Sequence, residues 1–144
     1  MEKNNSLEKL IYELQYLRSA AENVQQRIAL INATITEVQL GISTLEGIRA
    51  EKSGQSILVP IGGGSYVRAK LDDSEKLIVG IGADIAVEKS VPYAKEDFQT
   101  RILELEQARM TLKKQLDEIS TNISIIQREA QKLANQTRGE VNDV

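Results

Sequence analysis

The sequence predicts an α+β fold in which a long antiparallel two-helix coiled coil is joined by two β-hairpins. Two observations predict the helices. At each end of the 144-residue chain apolar residues recur at alternating steps of three and four, a period of 3.5 residues, and we call each such series a seam because it would line the contact between two coiled helices. A third predicts the hairpins: between the seams the period changes to the alternation of strands, interrupted by short turn sequences. Since isolated two-stranded sheets are marginal in water, we expect strands from several chains to complete one β structure.

The first helix is predicted over residues 6–49. Its seam is unbroken and consists of Leu7, Leu10, Leu14, Leu17, Ala21, Val24, Ile28, Ile31, Ile35, Val38, Ile42 and Leu45. Ser6 is the predicted N-cap, and Gly47 and Gly54 indicate the exit from the helix. A helix of this length spans about 66 Å.

The middle segment, residues 55–90, is predicted to form two β-hairpins that carry assembly. The apolar residues predicted to make the assembly contacts are Ile57, Val59, Ile61, Val67, Leu71, Leu77, Val79, Ile81, Ile85 and Val87. The run Gly62-Gly63-Gly64 lacks the Lys-Ser/Thr of a phosphate-binding loop, and Gly80-Ile81-Gly82 lacks the third glycine of a dinucleotide site. We therefore interpret both as turn sequences.

The second helix is predicted over residues 94–137, just after Pro92, and the run after Gly139 is expected to fray. Its seam consists of Phe98, Ile102, Leu105, Arg109, Leu112, Leu116, Ile119, Ile123, Ile126, Ala130 and Leu133. Only Arg109 is charged. In an antiparallel pair it would face the first helix between Ile31 and Val38, and leucine in its place is predicted to raise stability.

Composition excludes several classes of function. The chain has no Cys and no His, which removes thiolate nucleophiles, the usual zinc ligands and the imidazole of most acid–base sites. Asp72-Asp73 with Glu75 fits a turn better than a metal site. We expect no catalytic residues, no metal and no cofactor, and we predict that the protein is not an enzyme.

Charge and hydropathy limit the partners. The net charge is −3 and evenly spread, so no basic stripe predicts nucleic-acid binding and neither helix has the basic face of a membrane-surface helix. No stretch approaches 18 consecutive apolar residues, and the N-terminus has no apolar segment typical of a signal peptide. We expect a cytoplasmic protein that spans no membrane.

The order helix, two hairpins, helix resembles the archaeal prefoldin alpha subunit. The most specific part is Leu58-Val59-Pro60-Ile61-Gly62-Gly63-Gly64-Ser65-Tyr66-Val67, followed by Val79-Gly80-Ile81-Gly82 and the strand that ends Val87-Glu88-Lys89. One departure is Gly82-Ala83-Asp84-Ile85, where many members have an aromatic or another small residue after the turn. Two hairpins instead of one favour the alpha type over the beta type, while a filament-forming gamma-type relative shares this topology.

The resemblance implies an ATP-independent chaperone. Two alpha and four beta subunits would assemble through their hairpins into a β-barrel platform, and the coiled-coil tips would hold unfolded proteins and deliver them to a group II chaperonin. The apolar residues predicted to bind clients at the tips are Leu7, Leu10, Ile11, Leu14, Leu17, Ile125, Ile126 and Leu133. A two-stranded coil covers each seam residue on one side only, so several weak contacts could act together.

A purely structural coiled-coil spacer, or a filament-forming relative, is the competing interpretation. It explains the seams and the hairpins equally well. It gives no role to apolar side chains at the ends of the arms, beyond completion of the seam.

Overall fold

The computed structural model describes residues 2–142 as two long helices with four strands between them. The helices are α1 (Glu2–Ala50) and α2 (Val91–Asn142). The strands are β1 (Ser56–Gly62), β2 (Ser65–Lys70), β3 (Lys76–Gly82) and β4 (Ile85–Ser90). Strand β1 pairs with β2 and β3 with β4, both antiparallel, so the two predicted hairpins are confirmed.

Both helices are longer than predicted at their outer ends. Helix α1 already begins at Glu2, so the prediction of Ser6 as the N-cap is wrong: the Ser6 hydroxyl donates a hydrogen bond to the carbonyl of Glu2 inside the helix, 3.0 Å away. Helix α2 continues through Gly139 to Asn142. The added turns of the two helices contact each other, because the Lys3 ammonium forms an ion pair with the Glu140 carboxylate.

The inner ends of the helices also differ slightly from the prediction. Helix α1 continues past Gly47 and ends at Ala50, and Gly54 takes a left-handed conformation in the loop that follows (φ +87°). Helix α2 begins at Val91, so Pro92 lies in its first turn. Proline fits there because the first backbone N–H groups of a helix have no partner within it.

By its contacts the chain divides into two compact units. The first consists of residues 1–33 and 107–144, and the second of residues 34–106. In the first unit the helices run antiparallel, since Lys3 meets Glu140 and Asn32 meets Arg109. Among its described residues Val24, Leu112 and Ile126 are buried, and the remaining seam positions are half-buried.

The second unit holds the hairpins and a small apolar core. Leu45, Val91 and Ala94 form the buried cluster, and the side chains packed against it are Leu77, Val79 and Phe98. Phe98, the only phenylalanine of the chain, lies over Gly41, where a β-carbon would come within 3.3 Å of its ring. The glycine near the end of α1 therefore makes room for the one large aromatic ring between the helices.

Candidate interaction surfaces

The predicted client-binding residues lie in the first unit with different degrees of exposure. Ile11 (45% exposed) and Ile125 (49%) flank the seams and face solvent. The half-buried members are Leu7, Leu10, Leu14, Leu17 and Leu133. Ile126 differs from the others because its side chain is only 8% exposed in the packed seam, and its role in client binding stays a prediction.

Two exposed tyrosines lie outside the seam and were not predicted as interaction residues. Tyr12 (71% exposed) and Tyr16 (74%) lie four residues apart on α1, so their side chains are neighbours on one helix face. That face is not the seam, where Leu10, Leu14 and Leu17 lie. Tyrosine is enriched in interfaces because its ring is apolar and its hydroxyl is polar. The signal was in the sequence as an aromatic pair at helical spacing.

The hairpin register places several of the predicted assembly residues on one face. In the first hairpin Val59 lies opposite Val67 and Ile57 opposite Ala69. We call this the Val59 face: Ile57, Val59, Val67 and Ala69. Ile61 lies next to it at a bulge, where the register shifts between Pro60 and Gly62. Val59, Val67 and Ile61 are exposed, so the described chain leaves this apolar surface largely uncovered.

In the second hairpin, part of the equivalent face packs against the apolar core of the same unit. Val79 lies opposite Val87, and Leu77 and Val79 pack against the cluster of Leu45, Val91 and Ala94. Ile81 and Ile85, next to the turn, are exposed. Leu71 follows β2 and is half-buried. Of the residues predicted to carry assembly, those open to a partner therefore lie at the turn end of the second hairpin and on or next to the Val59 face.

Both glycine-containing segments act as turns. Gly62, Gly63 and Gly64 have positive φ angles in the first hairpin, and Gly82 is followed by Ala83 (φ +50°) and Asp84 (φ +59°) in the second. In the acidic turn before β3, the Asp73 carboxylate accepts a hydrogen bond from the Glu75 N–H at 2.9 Å, an arrangement typical of turns. Among the described residues no group of three or more His, Cys, Asp or Glu could hold a metal ion.

Arg109 makes a specific contact across the first unit. It is half-buried in the seam, and its Nη1 donates a hydrogen bond to the side-chain carbonyl Oδ1 of Asn32, 2.9 Å away. Asn32 lies within the stretch of α1 predicted to face Arg109. The guanidinium is thus held at an exposed edge of the seam, where its aliphatic stem can pack and its head stays solvated.

The cavities of the second unit are open grooves. One of about 470 Å³ lies beside Phe98 and is lined by Thr34, Glu37, Val38, Leu40, Gly41, Thr44, Leu45 and Arg101. Such a surface can bind an apolar segment, but it does not enclose a small substrate. Together with the uncovered apolar faces, the geometry favours binding of other polypeptides.

Helix α1 is, by length and composition alone, apolar enough to cross a membrane. A helix that packs inside a folded protein can have the same length and hydropathy. The seam residues of α1 are buried or half-buried against other parts of the chain, while Asn32, Thr36 and Gln39 between them are exposed. This is the pattern of a coiled-coil helix.

Comparisons with known proteins agree with this architecture. The prefoldin family model, described as "Prefoldin subunit", matches residues 17–136. The chain is 35% identical to a prefoldin subunit alpha of Pyrococcus horikoshii over 131 residues, which cover 90% of this chain and 88% of that protein. It is 41% identical over 102 residues to a prefoldin subunit alpha of Thermofilum pendens, covering 71% of this chain and 79% of that one.

A solved structure shows the same fold. A chain of filamentous PFD from Methanocaldococcus jannaschii, determined by cryo-EM, matches with a TM-score of 0.71. The match covers 81% of this chain and 96% of that chain at 23% identity, so it bears on the fold and not on the function.

Proposed function

The chain belongs to the prefoldin family, and from that premise we propose that it is an ATP-independent chaperone subunit of the alpha type that holds unfolded proteins. Its matched relatives carry the name prefoldin subunit alpha. The role requires surfaces that bind many sequences weakly, without catalysis.

The observation that carries the proposal is the apolar surface left open in the first unit. Ile11 and Ile125 are exposed there, and the neighbouring leucines of the seam are only half-buried. An unfolded segment can bury its own apolar side chains on such a surface at about 25 cal/mol per Å². Each contact is weak and tolerant of sequence, and several subunits acting together raise the overall affinity.

Assembly is proposed to use the hairpins. The uncovered Val59 face and the exposed Ile81 and Ile85 are apolar surfaces, and the strand edges carry unpaired backbone groups. In the alpha-type arrangement two such chains and four beta subunits complete a β-barrel platform. Partners of the complex would be unfolded clients and a group II chaperonin in the cytoplasm, with no role for nucleic acid or a membrane.

Client holding is tested by comparing Leu10→Ser/Leu14→Ser with the parent chain in the assembled complex. Dilution of a denatured protein should produce more light scattering with the variant, because two apolar contacts of the first unit are lost. The matched control is Ile102→Ser/Leu105→Ser, which replaces two half-buried seam residues of the second unit in the same way. Assembly mass and helix content are measured first for each variant.

Equal protection by the parent and by Leu10→Ser/Leu14→Ser would remove these leucines from client binding. No protection by the parent complex would contradict the chaperone role itself.

The second candidate is a filament-forming structural protein. It comes into consideration because the uncovered Val59 face and the unpaired strand edges could also join copies of this chain into an open array. Sizing by ultracentrifugation separates the two functions, since a filament gives a broad distribution that grows with concentration and a closed complex gives one mass.

A further inference from the structure

The two hairpins are copies of one pattern offset by 20 residues. Val59 and Val79, Ile61 and Ile81, Gly62 and Gly82, and Val67 and Val87 are identical pairs at this offset. The cross-strand register is also the same: Leu58 lies opposite Arg68, and Ile78 lies opposite Glu88. Of these shared residues, the two valine pairs lie on the face that is proposed for assembly. The other face differs, so the repeat supplies an internal comparison for what that face does.

The other face of the first hairpin is apolar at the turn end and cationic away from it. We call it the Leu58 face: Ser56, Leu58, Pro60, Tyr66, Arg68 and Lys70. Leu58 is 64% exposed and Tyr66 61% exposed, and Pro60 lies directly opposite Tyr66. Burial of the Val59 face in an assembly would leave this apolar patch in water. A contiguous apolar patch with polar or charged residues beside it is typical of an interaction site.

The charges of this face are unbalanced. Residues 55–71 contain two cations, Arg68 and Lys70, and no acid. Both are on the exposed face, and among the described residues neither has a carboxylate within ion-pair distance. In the second hairpin Glu88 stands at the position of Arg68 and Ala86 at the position of Tyr66. That face of the second hairpin has one cation, Lys76, beside the one acid, so only the Leu58 face combines a net positive charge with an aromatic ring.

We propose that the Leu58 face docks an extended acidic peptide segment of a partner protein, with apolar side chains between its acids. Its apolar residues would cover Leu58, Pro60 and Tyr66, and its carboxylates would pair with Arg68 and Lys70 on the same strand. Tyrosine and arginine are the residue types that contribute most to such interfaces. This interaction goes beyond client holding, which is proposed for the first unit.

The test measures fluorescence anisotropy of a labelled synthetic peptide in which glutamate alternates with leucine and phenylalanine, titrated with the full chain. Arg68→Glu/Lys70→Glu should weaken binding by about tenfold, the combined effect of two exposed ion pairs. Tyr66→Ala should weaken it by a similar factor. The matched control is Lys113→Glu/Lys114→Glu, which reverses two exposed charges on α2 and should leave binding unchanged.

Equal weakening by the control would show non-specific electrostatic attraction and overturn the proposal. The proposal would also be overturned if the acidic peptide did not bind. It would be overturned as well if a peptide with lysine in place of each glutamate bound with the same affinity. A fall in the mass of the chain on Arg68→Glu/Lys70→Glu would assign this face to contacts between copies, with Glu88 of a second copy as the acid. Loss of peptide binding on reconstitution with a beta-type subunit would also overturn it. None of these results depends on client holding.

Discussion

At the scale of single residues, the contact between Arg109 and Asn32 changes the expected effect of an Arg109 substitution on the stability of the helix pair. The sequence indicated a charge that interrupts an apolar seam and predicted that leucine would stabilise the helix pair. The structure adds the hydrogen bond to Asn32, 2.9 Å long. A hydrogen bond to a charged group contributes about 1.5–3 kcal/mol, and less when it is exposed to water as here. This contribution is close to what a half-buried leucine gains from apolar burial.

We therefore expect Arg109→Leu to change the free energy of unfolding by less than about 1 kcal/mol, because the two effects offset each other. Arg109→Ala should lower it by about 1–2 kcal/mol, since it loses both the hydrogen bond and the packing of the aliphatic stem. Chemical denaturation followed by circular dichroism measures both. A gain of about 2 kcal/mol or more in Arg109→Leu would mean that the bond to Asn32 contributes nothing to stability.

The turns of the two hairpins differ in one residue that must take a left-handed backbone conformation, and the sequence alone did not show that this conformation is required there. Both use three successive positive φ angles, but Ala83 (φ +50°) occupies the position that Gly63 (φ +57°) holds in the first hairpin. A left-handed conformation costs a residue with a β-carbon about 1 kcal/mol or more, whereas glycine adopts it freely. Nothing lies within 4 Å of a β-carbon built on Gly63, so the comparison isolates the backbone effect.

Ala83→Gly is expected to raise the free energy of unfolding by about 0.5–1 kcal/mol, because relief of the left-handed strain exceeds the added freedom of the unfolded chain. Gly63→Ala is the reciprocal variant and should lower it by a similar amount. Thermal unfolding of the full chain checks both. Changes of the same sign in the two variants would contradict a backbone origin.

At the scale of elements, the periodicity of the sequence determined which side of each helix is covered. Every predicted seam position of α1 and α2 is buried or half-buried. The four strands and both turns also lie where the change of period placed them. This succeeded because burial on a helix or a strand repeats with the geometry of the backbone. The outer ends of the helices were missed, since the added turns pair with each other, as Lys3 does with Glu140, and no local pattern encodes a contact between residues so far apart in the chain.

The surfaces were harder to predict than the elements. The seam pattern gave the buried Ile126 the same predicted role as the half-buried leucines of the seam, and it gave no reason to notice the exposed Tyr12 and Tyr16 outside the seam. The period of the apolar residues identifies which face of a helix or strand is covered, but it assigns no role to the opposite face. In the hairpins, the division into the Val59 face and the Leu58 face required the strand register.

At the scale of the whole molecule, the proposed function makes assembly through the hairpins separable from pairing of the two helices. The Val59 face and the exposed Ile81 and Ile85 lie in residues 55–90, whereas each seam has its partner seam within the same chain. If the hairpins carry assembly, their removal should leave paired helices and no oligomer. This expectation rests on apolar faces that the chain itself leaves uncovered.

Replacement of residues 55–90 by a short Gly/Ser linker should therefore give a helical monomer, because the two seams can still pack while the strands that join subunits are gone. Sedimentation velocity gives the mass and circular dichroism the helix content. Residues Leu77 and Val79 also cover the cluster of Leu45, Val91 and Ala94, so some loss of thermal stability is expected in this variant. The control is Val59→Ser/Val67→Ser, which keeps both hairpins and the helices' own core and should weaken assembly without changing helix content. An unchanged assembly mass in the linker variant would mean that the helices, and not the hairpins, carry assembly.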